Sequence, residues 1–491
     1  MRRAAFFLVV CLAFVPALEA HHDKRTQSKS SSPTLPVTTS SVKARDLYLR
    51  AMADYENLYL ERCNVGWRAA VKEDPNFALA HAMIALNSRD PGEVLAEREK
   101  AKALAAKVTP GEKLMIQWIA SVQEGNFMNG IAAMNDLLDM FPKDKQLHFI
   151  AANWLMGANG NEHAQSLLER ALAIDKNYPA ALNDLAYIHA RNREFDKAFD
   201  EMERYVRLLP SEPNPQDSYA EILRMAGNFD AALEHYHAAL KLDPDFVTSQ
   251  LGLGDTYALM GDQGRARMEY EKAVQQAHTP ADRLDYSMQK ALTWVREKNF
   301  DEADKAFFAV AQAAHAQEVP LEEAQAFQRM ALYQPDDEKS LKFLDDAEDA
   351  LFHNALLSQS DRDEQLARVL HCRVVHAAHA GKLDLAGEAL TELQTLAEGN
   401  RNRVLQAEYH GAAGAMFMQN ERFSDAIAHL QEDTDDPQSM ELLYRAYGAT
   451  GATDKQREIE SRLKATFVPT MEQALVVPAV KQQGSLVKPT L

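Results

Sequence analysis

Three cysteines in 491 residues are too few for a disulfide framework. Basic residues are also short, with 53 Lys+Arg against 72 Asp+Glu and a formal net charge of -19. A surface of that sign repels phosphate backbones, so no nucleic-acid partner is expected. No apolar run approaches the roughly 20 residues that span a bilayer. GxSxG elbows, HExxH helices, glycine-rich phosphate loops and CxxC pairs are all missing. No catalysis and no cofactor are therefore expected. The 46% hydrophobic and 25% charged residues that remain fit an ordinary folded chain.

The first twenty residues read as an address. Arg2 and Arg3 precede an apolar run from Ala4 to Val15, and Ala17-Leu18-Glu19-Ala20 offers small residues at the exit. That order describes a secretory signal peptide over 1–20, cut after Ala20, with Ala17 as the alternative. Val10 before Cys11 does not make a lipid-attachment site, and Met1 and Ala5 do not suit a twin-arginine signal. No Asn-x-Ser/Thr triplet occurs, which favours a Gram-negative periplasm over an extracellular destination. After cleavage no direct membrane insertion is expected. Residues 21–43, rich in Ser and Thr with Pro33 and Pro36, read as a flexible spacer.

Beyond the spacer the chain repeats. Ala164, Ala198, Ala232 and Ala266 stand 34 apart, and Leu168, Met202, Tyr236 and Tyr270 keep the same step. Ala171, Tyr205, Ala239 and Ala273 form a third register, and Gly227 and Gly261 a fourth. Ala266, Tyr270, Ala273 and Val274 lie on one helix face, with Leu253, Gly254, Tyr257 and Met260 on the helix before. Gly254 and Ala266 let the two backbones approach, and Gly261 supplies the turn.

Gln250-x2-Leu253-Gly254-x2-Tyr257 with Ala266-x3-Tyr270 resembles the tetratricopeptide repeat, as does Gln216-x2-Tyr219-Ala220 with Ala232-x3-Tyr236 and Pro244. Gln stands where that pattern has Trp. The resemblance implies an all-α, right-handed superhelical solenoid of antiparallel helix pairs, about eleven or twelve in number. A regular array is expected over 44–317 and degenerate repeats over 318–467, with an irregular bundle as the alternative there. Residues 468–491, holding Pro469, Pro478 and Pro489, read as an extended or disordered tail.

The family implies a concave groove, lined by the first helix of each pair, that receives a protein or peptide. Members that grip acidic C-termini place Lys and Asn four apart on that face. The matching pairs here are Phe149/Asn153, Asn183/Tyr187, Asp217/Glu221 and Leu251/Asp255, with no Lys among them. The partner expected is polar or basic: Asn153, Asn183 and Tyr187 would line its site, and Asp217, Glu221 and Asp255 would complement its charge. The competing reading has these side chains simply facing water. Between Glu318 and Leu366 thirteen acidic residues oppose four basic ones, either as a patch for a basic partner or as a solvated face.

Two further readings belong to other classes. Cys372, His376 and His379 share one helix face at the spacing metal ligands need, which would make a metal-dependent hydrolase; a buried Cys beside surface histidines is the plainer explanation. The chain could also be a structural subunit of an envelope complex with no free ligand.

Overall fold

The computed structural model describes residues 33–158, 160–353, 355–398 and 402–483, and the signal segment 1–20 lies outside them. Helices follow one another without a strand among the described residues. In chain order they are α1 (Val42–Glu56), α2 (Leu60–Glu73), α3 (Ala78–Asn87), α4 (Pro91–Leu104), α5 (Pro110–Gln123), α6 (Phe127–Met140), α7 (Lys145–Gly157) and α8 (Asn161–Ile174). Then come α9 (Pro179–Arg191), α10 (Phe195–Leu208), α11 (Pro213–Met225), α12 (Phe229–Leu242), α13 (Val247–Met260), α14 (Gln263–Gln276), α15 (Pro280–Arg296) and α16 (Phe300–Ala316). The last are α17 (Pro320–Tyr333), α18 (Asp337–His353), α19 (Gln359–His379), α20 (Leu383–Glu398), α21 (Arg403–Gln419), α22 (Phe423–Leu430), α23 (Pro437–Ala449), α24 (Thr453–Lys464) and α25 (Met471–Gln483).

From α1 to α24 each odd helix packs on the even helix after it, giving twelve hairpins in an all-α stack. Local chemistry sets the joints. Several first helices open on proline, as at Pro179, Pro213, Pro280, Pro320 and Pro437, where the missing N–H costs nothing. Many of the tight turns inside hairpins hold a residue at positive φ: Gly227 (83°), Gly261 (91°) and Gly381 (74°), but also Arg193 (62°) and Lys298 (58°).

The repeated registers form the core. Ala164, Ala198, Ala232 and Ala266 are fully buried, and so are the large residues four positions after each. A Cβ added to Gly254 would sit 2.7 Å from the Tyr270 ring, so this glycine is required by close helix approach. The first helices start 34 apart at Lys145, Pro179, Pro213 and Val247, then at Pro280, Pro320, Gln359 and Arg403 as the helices lengthen. First helices also touch the next first helix, as α9 touches α11 and α17 touches α19, and no second-to-second contact of that extent occurs among the described residues. The stack therefore curves with its first helices inside.

Two expectations need correction. Residues 33–41 are not a free spacer but a strap laid on the first hairpins. Leu35 N donates to Asp144 Oδ2 (2.8 Å), Thr38 N to Glu112 Oε1 (2.6 Å) and Ser40 N to Asp74 Oδ2 (2.9 Å), while Leu35 and Val37 pack on the core. Carboxylates on the helix ends thus satisfy backbone donors that composition alone leaves to water. The tail is not extended throughout either: Met471–Gln483 is helical despite Pro478, because Met471, Ala474, Val477 and Val480 are buried against other helices.

Candidate functional site

Asn153, Tyr187, Glu221 and Asp255 occupy equivalent places on α7, α9, α11 and α13, one repeat apart, on the inner face. All four are partly buried. They are also tied to their own chain. Tyr187 OH donates to Glu221 Oε2 (2.8 Å), Arg224 Nη2 donates to Glu221 Oε1 (2.9 Å), and Tyr270 OH donates to Asp255 Oδ1 (2.7 Å). Arg224 Nη1 lies 3.7 Å from Asp255 Oδ2, so one guanidinium sits between two carboxylates. Asn153 Nδ2 donates to Asp184 Oδ2 (3.3 Å), and Asn153 Oδ1 accepts from Tyr55 OH (3.4 Å).

Asn183 and Asp217 lie deeper. Asn183 donates to Asp184 Oδ1 (3.4 Å). Asp217 is 7% exposed and accepts from Ser249 Oγ of the next repeat (2.6 Å). Burial pushes the Asp217 carboxyl up to about 7 and that of Asp184 to about 6. Burial also raises Asp255, with Arg224 opposing it. Asp217 joins repeats rather than meeting a visitor, and Tyr187 and Glu221 are the members with a polar edge on the groove.

Arg224 escaped the sequence reading. It is 3% exposed, and its Nε and Nη1 lack hydrogen-bond partners among the described residues. Its signal was present, three residues after Glu221 on the same helix face. Arg224 falls outside the two positions, four apart, that the family resemblance singles out in each repeat. The groove acids consequently carry less net charge than their count implies.

The metal-site candidate does not assemble. Cys372 is buried in the core with Gln328 Nε2 3.4 Å from its Sγ, and burial pushes its thiol up to about 12. His376 and His379 instead share Asp337, their Nδ1 atoms 2.9 and 2.7 Å from its two oxygens. Among the described residues no three His, Cys, Asp or Glu side chains are placed to hold a metal ion. Cys63 is likewise a buried free thiol. The acidic stretch has a form of its own: Glu318, Glu323, Asp346 and Asp349, with His315 and His353, line a pocket of about 620 Å³.

Comparison with known proteins bears on the stack. A model described as TPR repeat matches residues 220–261, and a tetratricopeptide repeat model matches 151–213. The human protein O-mannosyl-transferase TMTC1 is 26% identical over 158 residues, 31% of this chain and 18% of that protein. The TPR repeat-containing protein YpiA of Bacillus subtilis is 22% identical over 184 residues, 37% of this chain and 41% of that one. The chain thus spans less than half the length of these relatives. Among solved structures, a tetratricopeptide repeat protein from Parabacteroides merdae is similar at a TM-score of 0.34, with 13% identity over 62% of this chain and 99% of that one. YrrB, described as a TPR protein with an unusual peptide-binding site, gives 0.25, with 17% identity over 38% and 98%. The two matched models identify tetratricopeptide repeats over 151–213 and 220–261, within a stack of twelve helix pairs among the described residues, and such repeats serve as scaffolds for protein interaction.

Proposed function

We propose that this chain is an exported, non-catalytic scaffold that binds a polar or basic protein segment along the inner face of α7 to α13. The observation that carries the reading is the row Asn153, Tyr187, Glu221 and Asp255, set on consecutive first helices at one-repeat intervals. Rigid helices hold these groups without further ordering, which favours an extended partner. Tyr187 offers an aromatic face with a polar tip, and the Glu221 side chain, 38% exposed, holds a carboxylate whose remaining lone pairs a partner donor can share with Tyr187 and Arg224. The acidic pocket around Glu323 and Asp346 is a second surface of the same sign.

Affinity capture from the native host tests this. The parent chain should retain a partner that Tyr187→Ala/Glu221→Ala loses by at least tenfold, with both proteins equally folded. Equal recovery by the two would overturn the groove assignment. Export, read from Arg2, Arg3 and the apolar run to Val15, is tested separately: protein from the periplasmic fraction should begin at His21. A protein retaining Met1 would overturn that part.

A further inference from the structure

The C-terminal helix α25 does more than end the stack. It packs on its neighbours α23 and α24 and also on α15 and α17, which belong to the eighth and ninth hairpins. Met471 and Ala474 join the hydrophobic cluster of residues 284–412, while Val480 joins the cluster of 426–463. The helix therefore lies in a cleft with α15 and α17 on one side and α23 and α24 on the other. A bridge leads it there. Arg193 Nη1 donates to Ala465 O (3.2 Å), and the Phe467 ring stands edge-on to Phe229 at 5.3 Å, against Gly227.

As a helix α25 is poor, and as a ligand it is incomplete. Thirteen residues are marginal for an isolated helix, and an interior proline weakens it further. Pro478 removes the donor that would reach the Ala474 carbonyl. Gln473 is 4% exposed, yet its Oε1 has no hydrogen-bond partner among the described residues. The docked face is apolar at every third position: Met471, Ala474, Val477 and Val480. Docking, not helix propensity, keeps the segment ordered.

We infer that the cleft between α15/α17 and α23/α24 is a binding site for an apolar helical segment of a partner protein, and that α25 is its built-in occupant. A partner helix with small or branched apolar residues at the same spacing, and without the proline or the stranded glutamine, would fill it better. Binding then requires α25 to leave, so the tail sets a threshold for partner capture. The inference rests on the scaffold reading but concerns the other half of the stack, so either can fail without the other.

The test uses the full chain and a fluorescent synthetic peptide of residues 468–483 as the probe. Val477→Asp/Val480→Asp should free the cleft, so this variant should bind the peptide at least tenfold more tightly than the parent does. A peptide carrying the same two substitutions should bind neither protein. Equal binding by parent and variant, or none to a variant whose circular dichroism and melting match the parent, would overturn the inference. Should the variant unfold, hydrogen exchange on the parent decides. Amides of α25 should exchange at least tenfold faster than those of α15 and α17 through local opening. Protection equal to theirs would make α25 a fixed part of the core and overturn the inference.

Discussion

Asp217 shows how a residue suited to a groove becomes part of the frame. Its carboxyl is buried under the next repeat, and burial holds it near about 7, against the lower value of a solvated aspartate. Between those two values the folded chain keeps a proton that the unfolded chain has lost, so stability falls as pH rises through that window. Asp217→Asn is expected to match the parent near pH 4 and exceed it by on the order of 2 kcal/mol at pH 8. Urea unfolding at both pH values checks this, and equal stability at pH 8 would contradict it. Gly252 makes a second residue-level claim: a Cβ there would lie 2.2 Å from the Tyr236 ring. Gly252→Ala is expected to destabilise by about 1–3 kcal/mol, read as a lowered Tm. Lys298, at φ 58° where related turns have glycine, should respond oppositely, with Lys298→Gly gaining about 1 kcal/mol.

At the scale of elements, the strap over 33–41 and the helix α25 are where composition and structure part. The helical pairs were legible because each large buried residue recurs at a fixed step and faces its own neighbour; Tyr236 and Tyr270 carry that signal in sequence and in packing. The strap has no such signal. Its partners Asp74, Glu112 and Asp144 lie far along the chain, and nothing local in a Ser/Thr-rich segment names them. In α25 Pro478 reads as a breaker, while burial of Val477 and Val480 overrides it. The 34-residue step made it legible that Tyr187 and Glu221 share one face a repeat apart, but their contact, the burial of Asp217 and the presence of Arg224 depend on how tightly successive repeats close. Asp74→Ala removes the acceptor of Thr39 and Ser40 and should lower stability by about 1–3 kcal/mol. Amide exchange at Ser40 should quicken with it, and an unchanged rate would show that the strap is held elsewhere.

The whole molecule is a stack that touches itself across its turns. Arg89, between α3 and α4, pairs with Asp282 at 3.0 Å and Glu322 at 3.0 Å, and also with Asp285, linking the second hairpin to the eighth and ninth. Tyr59 OH donates to Glu212 Oε2 (2.6 Å), so the first hairpin also meets the sixth. Arg89→Ala leaves three carboxylates facing one another, and burial already pushes Glu322 up to about 7. That variant should expand in small-angle scattering at neutral pH and recover toward the parent at mildly acidic pH, as protonation relieves the repulsion. The same dimensions at both would contradict a closure that Arg89 holds. Inward curvature directs Tyr187 and Glu221 to the groove and leaves Glu203 of α10 exposed on the outer layer. The most direct measurement is therefore photo-crosslinking in the native host, with a photoreactive amino acid replacing Glu221 in one variant and Glu203 in another. A discrete partner adduct from position 221 and none from 203 is the predicted result. The same adduct from 203 alone would contradict binding on the inner face.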